Sequence, residues 1–94
     1  MVVEKRRYQR KSISRLVGYD VGDGNINFGM TGNLSKGGML LKSPYPLKQK
    51  QEFTFYLGLN NDVISIPGET CDCFPSNGMY TVRVAFNYQF PRKL

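Results

Sequence analysis

Apolar and polar residues alternate along much of the chain, which is the pattern of β-strands with one buried face. No stretch keeps a 3.6-residue apolar period over three turns, so no long helix is predicted. The second segment contains Ile26, Phe28 and Met30 and then Leu34, which would form its buried face. The pattern predicts six strands, at about Ile13–Val21, Ile26–Leu34, Met39–Leu41, Phe53–Leu59, Val63–Phe74 and Tyr80–Tyr88.

Turn-forming residues separate these predicted strands, because glycine, proline, asparagine and aspartate adopt or tolerate tight turns. The groups are Gly22–Asn25, Lys36–Gly38, Pro44–Pro46, Asn60–Asp62 and Pro75–Gly78. Short strands and short turns in 94 residues favour an all-β fold, a small six-stranded antiparallel β-barrel. Residues 12–94 would form this single domain, with little or no C-terminal helix because Pro91 disfavours one.

Most of the net charge of +6 lies in the first fifteen residues. Six basic side chains stand there against one acidic side chain, a net +5, and the rest of the chain carries +1. Residues 1–11 are therefore interpreted as a basic, flexible arm. An anionic partner would suit this arm, whether a phosphate ligand, a nucleic acid or an acidic membrane. A solvated tail that only raises solubility explains the charge equally well.

The absence of histidine excludes several kinds of active site. The chain cannot form a Ser-His-Asp or Cys-His nucleophile pair or a histidine-rich metal site, so no enzyme, metal or cofactor is expected. Cys71 and Cys73 stand one residue apart in a predicted strand, so their side chains would share a face. A disulfide this short would be strained, which favours reduced thiols in the cytoplasm. No signal peptide and no segment for membrane insertion is apparent.

The arm contains an R-x-x-x-R motif, formed by Arg6 and Arg10. These two side chains lie on the same side both in an extended arm and on one helical turn. Arg7 lies between them and Lys5 precedes them. Planar guanidinium groups bind phosphate oxygens or the guanine edge in bidentate fashion and also stack on base rings. The motif is therefore a candidate nucleotide clamp.

A second motif joins the second predicted strand to the third. Its sequence is Asn33-Leu34-Ser35-Lys36-Gly37-Gly38. Asn33 and Ser35 share strand parity, so they would present an amide and a hydroxyl on one surface while Leu34 faces the core. Gly37 and Gly38 permit a positive φ and would let a ligand approach the backbone closely. The alternative is a strand-ending turn whose side chains bond to their own backbone.

The R-x-x-x-R motif followed by Asp/Asn-x-Ser-x-x-Gly resembles the PilZ domain family, and the similarity in strand pattern covers nearly the whole chain. This resemblance implies a six-stranded β-barrel that acts as a bacterial receptor for the second messenger cyclic di-GMP. It implies further that Arg6 and Arg10 clamp guanine and phosphate, while Asn33, Ser35 and Gly38 hold another part of the ligand on the barrel.

Ligand binding would fold the arm against the barrel and create a surface for a downstream protein, as yet unidentified, in motility, exopolysaccharide or biofilm control. Arg7 and Gly37 would belong to the same ligand site as neighbours of the matched positions.

Three features depart from the family pattern. Arg83 stands where the family often has glycine in the last strand, and it would either add charge to the site or crowd it. Lys5 occupies a position that the family uses to influence ligand number, where a basic residue favours a stacked pair. The C-terminal helix that is common in the family is absent or very short.

Two other functions stay open at this point. A small β-barrel can bind nucleic acid, with the arm along the phosphates and aromatic side chains stacked on bases. The near-neutral charge outside the arm argues against this function. A PilZ-like adaptor that binds only proteins is the other alternative, and the intact motifs argue against it.

Overall fold

The computed structural model describes residues 14–20, 22, 24–59 and 61–92. Within these residues the chain forms six strands and no helix, which confirms the predicted all-β class. The strands are β1 (Leu16–Asp20), β2 (Ile26–Leu34), β3 (Gly38–Ser43), β4 (Glu52–Leu59), β5 (Asp62–Ser76) and β6 (Met79–Phe86). The predicted basic arm, residues 1–11, lies outside the described residues.

The strands close into an antiparallel barrel in the order β1-β2-β3-β6-β5-β4. β1 closes it, because this strand pairs with β2 on one side and with β4 on the other. Asn77 and Gly78, with φ of 51° and 79°, form the tight turn between β5 and β6. Two successive residues with positive φ are typical of the hairpin turn whose twist matches the flanking strands.

The regular alternation of β4 separates the core from the surface. Phe53, Phe55 and Leu57 are buried, and the residues between them face outward. The rings of Phe53 and Phe55 meet edge to face, with centroids 6.0 Å apart. Polar side chains in the core are hydrogen-bonded, and the buried hydroxyls of Tyr19 and Ser43, for example, share a hydrogen bond of 2.5 Å.

The predicted inner face of β2 is wrong for the residues before Gly32, because the strand contains a β-bulge there. The register shifts between Thr31 and Asn33, so that Gly32 is the extra residue. Phe28 is 57% exposed, and its neighbours Ile26 and Met30 also face solvent, whereas Leu34 beyond the bulge is buried as expected. A one-residue insertion moves every following side chain to the other face of the sheet, which explains the reversal.

A second bulge in β5 affects the two cysteines. The register shifts between Thr70 and Asp72, so that Cys71 is the extra residue. Cys73 packs partly against the core, and neither cysteine forms a disulfide. The regular alternation that would place Cys71 and Cys73 on one face is therefore broken, and Asp72 lies opposite Arg83 of β6 instead.

Candidate functional site

Residues 35–38, called here the Ser35 turn, connect β2 to β3. The Ser35 N–H donates to the carbonyl of Gly38 over 2.9 Å. The Ser35 Oγ accepts hydrogen bonds from the N–H groups of Gly37 (3.3 Å) and Gly38 (3.2 Å). Its hydroxyl also lies 3.2 Å from the Gly38 carbonyl, to which it donates. Ser35 is buried and holds the backbone of the turn, so its bonding fits the strand-ending interpretation of the motif.

The end of β6 and the segment after it form hydrogen bonds to the backbone of the Ser35 turn. The Phe86 N–H donates to the Gly37 carbonyl over 2.9 Å, and the Phe90 N–H donates to the Lys36 carbonyl over 2.8 Å. The Phe90 ring is buried and stacks on Phe86, with centroids 5.8 Å apart. Phe90 follows the last predicted strand and belongs to no periodic pattern, so the sequence does not indicate that it is a core residue.

Close packing explains the glycine at the end of the motif. A Cβ atom added at Gly38 would lie 2.2 Å from the carbonyl oxygen of Val84 in β6. Gly38 is not among the glycines with positive φ, which are Gly22, Gly24 and Gly78 in the part of the chain that the structure describes. Gly38 therefore does not use the positive φ that glycine permits, and the close approach of β3 to β6 accounts for the residue.

A row of outward side chains crosses four strands beside the turn. Asn33 lies opposite Leu40, Leu40 opposite Arg83, and Arg83 opposite Asp72. Since neighbouring strands are about 4.8 Å apart, the backbone of Arg83 lies about 10 Å from the backbone of Asn33, two strands away. The guanidinium of Arg83 forms an ion pair with the Asp72 carboxylate, and both side chains are about half exposed. Arg83 therefore shares the outer face with Asn33.

Arg15, the residue before β1, lies beside the end of β2 that leads into the Ser35 turn. The Arg15 N–H donates to the Thr31 Oγ over 3.0 Å, and the Thr31 N–H donates to the Arg15 carbonyl over 2.9 Å. Because β1 is antiparallel to β2, the N-terminal end of β1 lies at the end of β2 that contains Asn33. Arg10 is five residues before Arg15, a span of at most about 18 Å. The sequence-predicted residues Lys5, Arg6, Arg7 and Arg10 themselves lie outside the described residues.

An apolar groove on another part of the outer surface was not predicted. Its volume is about 350 Å³, and it crosses β1, β2, β4 and β5. No charged side chain lines it, so it offers nothing to a phosphate. Its lining residues are Leu16, Gly18, Ile26, Phe28, Tyr56, Gly58 and Val63.

The described residues contain neither a membrane-spanning helix nor a cluster of metal ligands. No helix in the described ranges is long and apolar enough to cross a membrane. No group of three or more His, Cys, Asp or Glu side chains in that part of the chain could hold a metal ion. The Ser35 turn and the row beside it offer polar groups for ligand contacts.

Solved structures of similar fold come from several bacterial proteins. The inhibitor of motility MotI/DgrA of Bacillus subtilis superposes with a TM-score of 0.80 at 11% identity, over 95% of this chain and 46% of that one. The PilZ domain of YcgR from Escherichia coli, solved with c-di-GMP, gives 0.76 at 14% identity, over 89% of this chain and 79% of that one. MrkH of K. pneumonia, solved as a c-di-GMP complex, gives 0.78 at 18% identity, over 93% of this chain and 46% of that one.

These likenesses concern the fold, and the chain spans less than half the length of the Bacillus protein and of MrkH. No protein of curated function matches the sequence significantly. The sequence profile of the PilZ domain, however, matches residues 4–92, which is nearly the whole chain and includes both motifs. The chain belongs to the PilZ domain family.

Proposed function

We propose that this chain is a bacterial receptor domain that binds cyclic di-GMP and catalyses no reaction. The observation that carries the proposal is the position of Arg15, at the start of β1, beside the end of β2. Arg15 pairs with Thr31, two residues before Asn33, and the R-x-x-x-R motif ends only five residues before Arg15 in the sequence, which supports a shared site. The PilZ domain of YcgR and MrkH, which share the fold, are solved with c-di-GMP, and this supports the choice of ligand.

The arm supplies the positive charge for the ligand in this proposal. Cyclic di-GMP carries two phosphates and two guanines, and arginine can serve both groups through bidentate hydrogen bonds and stacking. Arg6 and Arg10 clamp one guanine and phosphate, Arg7 adds a third guanidinium, and Lys5 adds charge at the edge of the site. Asn33 offers its amide at the end of β2.

The Ser35 turn contributes mainly through its shape. Because the Ser35 Oγ bonds to the backbone of Gly37 and Gly38, its proposed role is to hold the turn open to the ligand. The two glycines leave the backbone accessible there. Binding then orders the arm against the barrel and presents a new surface to a downstream protein in the cytoplasm.

Calorimetric titration of the purified chain with cyclic di-GMP tests this function. We expect binding, and a loss of about 10- to 150-fold in affinity for Arg10→Ala, because a charged hydrogen bond contributes about 1.5–3 kcal/mol. Arg92→Ala is the matched control, since Arg92 lies outside the candidate site in an exposed ion pair with Asp62. Absence of binding, or equal affinities in the two variants, would contradict the proposal.

A further inference from the structure

We infer that the ligand surface extends from the Ser35 turn across β3 and β6, and that Asp72 limits affinity by holding Arg83 in an ion pair. In this inference Leu40 forms the apolar floor of the surface, and Arg83 is the cation at the end farther from the turn. It rests on the proposed binding of cyclic di-GMP and concerns the strength of that binding. Neither Leu40 nor Asp72 belongs to the two motifs.

The register of the sheet places these residues in one line. Leu40 is half-buried and faces outward between Asn33 of β2 and Arg83 of β6. A planar base can lie on an aliphatic side chain while the amide on one side and the guanidinium on the other make polar contacts. The row thus offers an apolar floor between two hydrogen-bonding groups, immediately beside the turn.

Asp72 is the neighbour that determines what Arg83 can do. The two side chains are paired and remain 54% and 45% exposed. An ion pair this exposed is weak, because water solvates both partners, so a phosphate can displace the carboxylate. Asp72 also repels an anionic ligand directly through its own charge. The pair therefore opposes binding, but a doubly charged ligand can overcome it.

The bulge in β5 creates this arrangement. With regular pairing onward from Thr70 opposite Val84, Cys71 would lie opposite Arg83 and Asp72 would face the core position opposite Val82. The extra residue moves Asp72 one place, so that the carboxylate lies opposite Arg83 on the outer face. The main chain of β6 is fixed by pairing with both β3 and β5, so Arg83 exchanges partners by side-chain rotation alone.

A double-mutant cycle on the pair tests the inference. Calorimetry with cyclic di-GMP at constant ionic strength is run on Asp72→Asn, Arg83→Gln and the double variant. We expect about threefold tighter binding for Asp72→Asn and about tenfold weaker binding for Arg83→Gln. In the double variant the gain from Asp72→Asn should be largely lost, because the freed partner is missing.

The second exposed ion pair of the barrel provides matched controls. Asp62 and Arg92 are joined over 2.8 Å, and Asp62→Asn and Arg92→Gln make the same charge changes away from the row. If Asp62→Asn tightens binding as much as Asp72→Asn, the effect is one of net charge, and the inference is overturned. It is also overturned if Arg83→Gln binds as tightly as the parent chain.

The contribution of Leu40 is measured separately. Leu40→Ala removes the apolar floor on the outer face without touching either charged group, and we expect about threefold to tenfold weaker binding. Unchanged affinity would overturn the role of Leu40. If the parent chain does not bind cyclic di-GMP, both the receptor function and this inference are overturned. If the parent chain binds and the variants bind with the same affinity, only this inference is overturned.

Discussion

Gly38 is the residue at which the packing of the barrel leaves least room for a side chain. A Cβ there would lie 2.2 Å from a backbone oxygen of β6, and a backbone atom cannot rotate away as a side chain can. Gly58 of β4, in contrast, has no atom within 4 Å of the position where its Cβ would be. The two glycines therefore have different physical reasons to be present.

Replacing these glycines should separate the two cases. We expect Gly38→Ala to lower the free energy of unfolding by about 1–3 kcal/mol, because β3 and β6 must move apart. Gly58→Ala should raise it by about 0.4–1 kcal/mol through the smaller entropy of the unfolded chain. Urea denaturation measures both, and equal effects would show that the close approach to Val84 is not a constraint.

Ser35 is predicted to matter for stability even without a ligand. Ser35→Ala leaves the N–H groups of Gly37 and Gly38 without their side-chain acceptor, which should lower the free energy of unfolding by about 1–3 kcal/mol. Ser65→Ala, at an exposed position of β5, is the control and should change it by less than about 0.5 kcal/mol. If the ligand-free variants unfold at the same urea concentration, Ser35 does not hold the turn.

At the scale of the elements, the buried face of a regular strand could be predicted from the sequence, and the buried face of a bulged strand could not. β4 alternates without interruption, so the sequence correctly gives Phe53 and Phe55 as core residues. In β2 the bulge at Gly32 reverses the alternation, and the sequence therefore assigns Phe28 to the wrong face. A bulge depends on pairing with a distant strand, and the local pattern of a single sequence does not contain that information.

The same limit applies to the candidate site. Asn33 and Ser35 could be found from the sequence because they belong to one short motif. Leu40, Arg83 and Asp72 become neighbours only through the register of three strands, so their row could not be derived from sequence spacing. Arg83 was singled out through the family resemblance, but its pairing with Asp72 required the structure.

The segment after β6 makes a prediction at this scale. Phe90→Ala should lower the free energy of unfolding by about 3–5 kcal/mol, because the ring is buried against Phe86 and the core. Tyr88→Ala, two residues earlier and 54% exposed, is the control and should cost far less. Thermal and urea unfolding both measure the difference. Similar losses in the two variants would mean that Phe90 does not anchor this segment.

At the scale of the whole molecule, the strand that closes the barrel is also the strand that continues into the arm. β1 has five residues and pairs with both β2 and β4. A ligand that holds the arm against β2 therefore also hinders the separation of β1 from its partners. Local opening of this strand and ligand binding should be coupled.

Hydrogen exchange measures this coupling. We expect saturating cyclic di-GMP to slow exchange of the β1 amides, such as those of Val17 and Tyr19, more than exchange in the β5–β6 hairpin. The difference should vanish in Arg10→Ala and persist in Arg92→Ala. A uniform slowing over all six strands would indicate only that the ligand stabilises the folded state as a whole, and would contradict the local coupling.

The strand order also determines when during synthesis the receptor can exist. β6 lies between β3 and β5 and is the last of the described strands, so a nascent chain that ends before residue 79 leaves an edge of β3 and an edge of β5 without partners. Such a chain has the arm and the residues of both motifs, but it lacks Arg83 and the segment that supports the Ser35 turn. The proposed ligand surface and protection from edge-to-edge aggregation are therefore gained together, when the ribosome releases β6 and Phe90.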